Sequence, residues 1–204
     1  MRVVIVAKTR MREGRMCVGA HDLDDFRSLR LFRHDGRYLN EDANLDVGDV
    51  WEMEYVERPG AVAPHLEDVL VQRGGVRRTG REEDLAALVM ARDVVWQTVD
   101  ELFDGRLDFT AAGSAYVPEA GPLPGRSTGY WRPTHELTLY QVNEKPRYRW
   151  TGGGALRSIR HVGVADPDVA IPAGSLVRLS LSQLFEPPDG PRGYWLQLSG
   201  WYRQ

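Results

Sequence analysis

Arginines alternate with aromatic residues in the second half of the chain, and this pattern carries the most chemical information. Residues 147–150 read Arg-Tyr-Arg-Trp, so an extended strand would place both arginines on one face and both aromatic rings on the other. Tyr130, Trp131 and Arg132 are consecutive and follow a Gly/Pro-rich loop that contains Arg126. Arginine binds phosphate through its planar fork, and aromatic rings stack on bases. These residues therefore predict a surface that binds single-stranded nucleic acid.

The last apolar segment, residues 193–202, adds two tryptophans to this prediction. With strand periodicity one face carries Tyr194, Leu196, Leu198 and Tyr202, and the other carries Trp195, Gln197, Ser199 and Trp201. The first set is the expected core face, which leaves two tryptophans among polar residues. Such a face is typical of a base-stacking platform. The alternative is that Trp195 or Trp201 packs against a neighbouring domain or a helix.

Residue combinations typical of catalysis are absent from the sequence. There is no GxxxxGK[ST] phosphate loop, no GxSxG turn and no HExxH pair, and the five histidines are scattered. Cys17 and His21 are four residues apart, which on a strand separates them by about 13 Å, so they do not form a nucleophile–base pair. The acidic run at 22–25 is typical of a solvated turn. We therefore predict a non-catalytic protein without metal or cofactor.

Charge is distributed unevenly along the chain. Residues 1–21, with Lys8 and Arg10, have a net charge of +4; residues 22–104 have −10 and residues 105–204 have +3. A nucleic-acid surface would use the amino-terminal strand and the basic segment 126–160. The acidic middle favours a second hypothesis from another class, a protein-interaction scaffold that docks a basic partner. Arginine supplies all but two of the basic residues, a preference that compositional bias explains as well as phosphate binding does.

Most segments have the period-two pattern of strands, and they are bounded by Gly, Pro or Asn. The predicted strands are 3–7, 15–21, 28–33, 47–56, 66–71, 107–117, 136–142, 147–151, 158–164, 175–183 and 193–202. Residues 81–103 have the apolar spacing of one amphipathic helix, with Thr79 and Glu82 as a capping box and Gly105 as the stop. Many short strands and one helix predict a mostly β chain of two small barrels, with the helix dividing them.

Several short motifs resemble the prokaryotic dual OB-containing domain family. They are VIVAKTR at 4–10, RMCVG at 15–19, PHLEDV at 64–69, GYWRP at 129–133 and VRLSLSQLF at 177–185. The resemblance runs along the whole chain and implies two OB folds in tandem. It also implies recognition of nucleic acid or a nucleotide, an accessory place in bacterial defence systems, and no enzymatic activity.

These observations together predict the fold and the contacts. The fold is mostly β, with a first OB-like barrel at 1–78, a connecting helix at 79–105 and a second OB-like barrel at 106–204. The predicted nucleic-acid contacts are Lys8, Arg10, Arg126, Tyr130, Trp131, Arg132, Arg147, Arg149, Trp195 and Trp201. A third hypothesis is a small-nucleotide site with Trp131 in a pocket, and Trp131 in the core is the structural alternative. One cysteine and no long apolar run predict a cytoplasmic protein that does not enter a membrane.

Overall fold

The structure is a computed structural model that describes residues 1–41, 43–188 and 190–203. The chain divides into two compact units, Met1–Asp93 and Val94–Gln204. Each unit is built mainly from short strands, as the period-two pattern predicts. No helix in the described ranges is long and apolar enough to cross a membrane.

The first unit is a curled sheet around a small apolar core. Its strands are β1 Arg2–Arg10, β2 Arg15–Asp22, β3 Ser28–Arg33, β4 Leu39–Asn40, β5 Asp49–Glu52, β6 Tyr55–Glu57, β7 Asp68–Val71 and β8 Arg77–Arg81. Strand β1 pairs with β2 and β5, β2 pairs with β3, and β3 pairs in parallel with β7. Strand β6 directly follows β5 and pairs with β7. The segment β5–β6 therefore acts as one bent strand that closes the five-stranded order of an OB barrel.

The second unit repeats this order with longer strands. Its strands are β9 Val95–Trp96, β10 Asp108–Phe109, β11 Ala115–Pro118, β12 Thr128–Trp131, β13 Leu137–Val142, β14 Lys145–Gly152, β15 Ala155–His161, β16 Ala170–Ile171, β17 Leu176–Phe185 and β18 Gly193–Tyr202. Strands β13, β14 and β15 form a meander, β15 pairs in parallel with β18, and β18 pairs with β17. Strand β12, which precedes β13, pairs with β17 and completes the barrel order.

The predicted helix over 81–103 is wrong in its extent. Helix α1 spans only Leu85–Arg92, and its N-cap is Asp84, whose side chain accepts a hydrogen bond from the Ala87 amide. The chain is extended at Asp93 and then forms β9, which pairs in parallel with β12. A short 3-10 helix at Val99–Gly105 follows and ends in residues with positive φ. The predicted connecting helix at 79–105 is thus a strand end, a two-turn helix, a strand and a 3-10 turn.

The core of the second unit holds the aromatic residues that alternate with arginine. Trp131, Tyr148 and Trp150 are at most 3% exposed, and the Trp131 and Trp150 rings lie 5.3 Å apart. The Tyr148 hydroxyl donates a hydrogen bond of 2.8 Å to the Asp168 carbonyl. Burial raises the pKa of Tyr148 to about 12. The core side of β14 is therefore fixed, and its arginines must lie on the other side.

Candidate nucleic-acid interface

Strand β14 presents its arginines on the outer face of the second barrel. Arg149 is exposed and Arg147 is half-buried, while Tyr148 and Trp150 between and beside them are buried. This confirms the predicted division of the Arg-Tyr-Arg-Trp segment between two faces. In OB barrels the face of strands two and three, here β14 and β15, is where oligonucleotides bind.

Strand register extends this outer face across the sheet. Tyr140 on β13 lies opposite Arg147, Arg147 lies opposite Arg160 on β15, and Arg160 lies opposite Gln197 on β18. Residues directly opposite in a ladder share a face of the sheet. A row of one tyrosine, two arginines and one glutamine therefore runs across four strands.

The row ends in a pair of aromatic rings. Trp195 lies two residues before Gln197 and therefore shares its face. Trp195 is opposite Tyr116 on β11, and their rings stack at 5.3 Å with an interplanar angle of 28°. We call this surface the outer platform; its residues are Tyr116, Tyr140, Arg147, Arg149, Arg160, Trp195 and Gln197. Across the three strand spacings from β13 to β18, at about 4.8 Å each, it is roughly 14 Å wide.

Neighbouring hydroxyl groups and rings hold the arginines of the outer platform. Arg147 Nη2 donates hydrogen bonds to the Ser114 and Ser158 hydroxyls at 2.7 and 2.9 Å. The Arg149 guanidinium lies over the Tyr140 ring, 5.5 Å from its centroid. Within the described part of the chain, neither Arg147 nor Arg149 forms an ion pair with a carboxylate. Their positive charges are therefore oriented but not neutralised, which suits them to bind phosphate.

Two hydrogen bonds fix the position of Trp195, one from its indole ring and one from its backbone amide. Its indole Nε1 donates a hydrogen bond of 3.2 Å to the Phe185 carbonyl, and its backbone amide donates to the Ser182 hydroxyl at 2.8 Å. Desolvation and then nearby Asp108 raise the pKa of the stacked Tyr116. Trp195 is half-buried, so part of its ring remains at the surface.

Trp201 does not belong to this face, because a β-bulge changes the alternation of β18. Arg178 pairs with Gly200 and Leu179 pairs with Leu198, so Ser199 is an extra residue. An extra residue shifts every later side chain to the opposite face. Trp201 consequently packs against the barrel core, and its Nε1 donates a hydrogen bond of 3.1 Å to Asp168. Its prediction as a contact on the face of Trp195 is corrected.

The GYWRP segment is structural. Tyr130 and Trp131 are 1% and 2% exposed, so neither ring can stack on a base, and the core alternative for Trp131 applies. A Cβ at Gly129 would lie 2.2 Å from the Trp96 ring, which explains the glycine. Arg132 Nε donates a hydrogen bond of 3.2 Å to the Gly174 carbonyl.

The remaining predicted contacts are not on the strands that form the outer platform. Arg126 is half-buried in the loop before β12. In the first unit, Lys8 forms an ion pair of 3.2 Å with Asp46, and Arg10 is exposed at the end of β1. The structure thus brings together three predicted contacts, Arg147, Arg149 and Trp195.

The predicted contacts omit four residues of the outer platform, Tyr116, Tyr140, Arg160 and Gln197, of which the sequence placed only Gln197 on the face of Trp195. Tyr140 and Arg160 do lie in segments predicted as strands, but only the register of β13, β14 and β15 places them beside Arg147. The long-range pairing of β18 with β11 places Tyr116 beside Trp195, and its pairing with β15 places Gln197 beside Arg160. The available signal was the alternation within each strand, and it did not specify which strands are neighbours.

The equivalent face of the first barrel is covered by its own chain. Phe32 on β3 is 1% exposed, with the Tyr38 ring 4.8 Å away and the Arg58 guanidinium 4.3 Å from its centroid. Buried Arg30 on the same strand forms an ion pair of 2.5 Å with buried Asp68. Desolvation raises the pKa of Asp68, partly opposed by Arg30. Of the two barrels, the second therefore presents the open and basic strand-two and strand-three face.

The acidic residues near β2 have structural roles. Asp22 is buried and accepts hydrogen bonds from the Tyr55 hydroxyl and, at 2.8 Å, from the Asp24 amide. Burial and Asp22 raise the pKa of Tyr55 to about 12. The His21 ring stacks on Phe26 at 4.4 Å. Among the residues that the structure describes, no group of three His, Cys, Asp or Glu could hold a metal ion.

Much of the negative charge of segment 22–104 is paired locally. Asp49 contacts Arg78 and Arg81 at 2.8 and 3.2 Å, and Glu52 contacts Arg77 at 2.7 Å. The Arg77 hydrogen bond lowers the pKa of Glu52. The net charge of −10 already counts these arginines, so the pairing orders part of the acidic side chains and leaves the excess of negative charge in the segment unchanged.

Each of the two units has the strand order of a five-stranded OB barrel, and the second unit has a basic, partly aromatic outer face. These features define a tandem OB protein. The model of the dual OB-containing domain matches residues 1–201, and the chain belongs to that family. This confirms the resemblance and the fold of two tandem OB-like domains. No curated protein matches the chain.

Two solved structures that match the chain resemble it only distantly. One, described as "Structural mimicry for functional antagonism", is 7% identical with a TM-score of 0.36, covering 95% of this chain and 86% of the other. Another, described as "Structure of murine DNA binding protein bound with ds DNA", is 10% identical with a TM-score of 0.34, covering 97% and 91%. At these scores neither carries a functional argument.

Proposed function

We propose that the chain binds single-stranded nucleic acid through the outer platform of its second barrel. The observation that carries this proposal is the continuous row from Tyr140 through Arg147 and Arg160 to Gln197 and Trp195. It combines Arg147, which forms no ion pair with a carboxylate of the described residues, and exposed Arg160 with aromatic rings on the strand-two and strand-three face. Family membership supports the same class of ligand, since OB folds use this face for oligonucleotides.

The division of labour follows from the contacts. Arg149 and Arg160 are exposed and would neutralise phosphates, while Arg147 is oriented by two serines. Tyr140 and Trp195, at opposite ends of the row, would each stack on a base. Stacking on Tyr140 would compete with Arg149, whose guanidinium lies over that ring. Such sites have moderate sequence preference and bind more weakly as salt rises.

A matched pair of tryptophan variants tests the proposal. Trp195→Ala removes a platform ring, whereas Trp201→Ala removes a ring on the core side of the same strand. Binding of labelled single-stranded DNA and RNA is measured by fluorescence anisotropy at about 50 mM salt, where screening is weak. We expect Trp195→Ala to weaken binding by about 1–3 kcal/mol. Folded Trp201→Ala should bind like the wild type. Absence of binding by the wild type, or equal losses in both variants, would contradict the proposal.

The proposal contains no catalytic step, and the prediction of a non-enzymatic chain is retained as part of it. The test is incubation of labelled oligonucleotides with the purified chain and divalent cations. We expect intact oligonucleotides after incubation. Metal-dependent cleavage that is lost in an Asp22→Asn, Asp24→Asn variant would overturn this part.

We also propose that the binding activity serves as an accessory function in bacterial defence. Family membership is the support for this part. Its test is infection of cells that carry the intact gene or the Trp195→Ala variant. Reduced protection by a variant that is folded and expressed at the same level is expected, and unchanged protection would contradict it.

A further inference from the structure

The side chain of Gln197 is the one uncharged amide on the outer platform, and it lies between a cation and a ring. Arg160 is directly opposite it on β15, and Trp195 is two residues away on the same strand and face. On its other side β17 places Ser180 opposite it. The amide therefore lies between Arg160, which would bind phosphate, and Trp195, which would stack on a base.

Gln197 keeps its hydrogen-bonding capacity. The side chain is half-buried, and no described residue forms a hydrogen bond with its amide. A glutamine amide offers donors on nitrogen and an acceptor on oxygen. Its amide atoms are not among the buried side-chain atoms without a partner, so they are accessible to solvent and to a ligand.

A base that stacks on Trp195 brings one of its polar edges towards this amide. Trp195 is held by its hydrogen bond to the Phe185 carbonyl and by the Tyr116 ring, so the stacking position is defined. In single strands both the Watson–Crick and the Hoogsteen edges are accessible. An adjacent donor and acceptor on the base is what a glutamine amide matches in a bidentate manner.

Adenine has such a pair on both edges. Its N6 amino group lies beside N7 on one edge and beside N1 on the other, and glutamine is an established bidentate partner of N6 and N7. Guanine presents two acceptors, N7 and O6, on its Hoogsteen edge, so guanine, like cytosine and thymine, has an adjacent donor and acceptor only on its Watson–Crick edge. We propose that Gln197 selects adenine at the position stacked on Trp195. This inference rests on the proposed function of the outer platform.

Two labelled single strands of about 12 nucleotides, within the usual site size of an OB fold, test the inference. One alternates dC and dA and the other alternates dC and dT. The two strands therefore differ only in having adenine or thymine at every second position, and neither can pair with itself. Binding is compared for the wild type, Gln197→Ala and the control Gln141→Ala. Gln141 has the same residue type on β13 but lies on the face opposite to Tyr140. Thermal melting verifies that each variant is folded.

The wild type and Gln141→Ala should bind the adenine strand roughly 5-fold or more tightly than the thymine strand. Gln197→Ala should reduce this ratio to below about 2-fold while it keeps its affinity for the thymine strand. A wild-type ratio near one, a preference for thymine, or a ratio unchanged in Gln197→Ala would contradict adenine selection and leave the outer platform in place. An equal loss of affinity for both strands in Gln197→Ala would also contradict adenine selection. Failure of the wild type to bind either strand would overturn the proposed function instead.

Discussion

Replacing Trp131 separates a core role from a binding role, because the sequence allowed both. The side chain is 2% exposed, and its ring lies 5.3 Å from Trp150. A buried tryptophan removes about 150–250 Å² from water, or roughly 4–6 kcal/mol at 25 cal/mol per Å². Since measured Trp→Ala changes in cores cost about 3–5 kcal/mol, we expect Trp131→Ala to lower the free energy of unfolding by that amount.

The assay combines denaturant unfolding with single-strand binding. Trp195→Ala is the matched control, because Trp195 is half-buried on the outer platform. We expect it to lose less than about 2 kcal/mol of stability and to weaken binding. Trp131→Ala, measured under conditions where it is folded, should retain its affinity. A Trp131→Ala variant that loses under about 1 kcal/mol of stability and binds more weakly would refute the assignment of Trp131 to the core.

Three further predictions concern stability. Gly129→Ala should lower the free energy of unfolding by more than about 2 kcal/mol, since its Cβ would lie 2.2 Å from the Trp96 ring; wild-type stability in denaturant melts would contradict this contact. Val89→Ala should cost more than Leu88→Ala, because Val89 is fully buried and Leu88 half-buried; the reverse order in the same melts would show that the other face of α1 is packed. Burial lowers the pKa of His161, so its contribution to stability is present above about pH 6.5 and is lost as pH falls below that value. His161→Gln should make the fall in unfolding free energy between about pH 7.5 and 5.5 shallower, and an identical pH profile would contradict the buried neutral ring.

Strand periodicity predicted the second barrel well where alternation is regular. The predicted limits of the last strand, 193–202, agree with β18, and the predicted faces of Arg147 and Arg149 are confirmed. The bulge at Ser199 could not be predicted, because it arises from the pairing of β18 with β17. This one residue decides that Trp195 lies on the platform and Trp201 on the core side.

Long-range pairing also explains the two larger errors. Residues 81–103 have helical spacing, but Val95–Trp96 pairs with β12 and ends the helix before it. The β-branched pair Val94-Val95 favours a strand at this point. The GYWRP segment appeared exposed because it follows a Gly/Pro-rich loop, yet β12 lies between β17 and β9 and is buried. Tertiary pairing overrides local pattern in both cases.

The salt dependence of binding by an Arg149→Ala, Arg160→Ala double variant tests the central claim most directly. Both arginines are exposed on the outer platform, so their removal should leave stability nearly unchanged. The matched control is Arg106→Ala, Arg203→Ala, which makes the same change in charge at exposed residues that are not part of the outer platform. If each platform arginine neutralises one phosphate, the slope of log K against log salt should become shallower by about 1.4, or 0.7 per lost contact. The control should keep the wild-type slope. Equal slopes in the wild type and the platform variant would show that nucleic acid does not bind at this face.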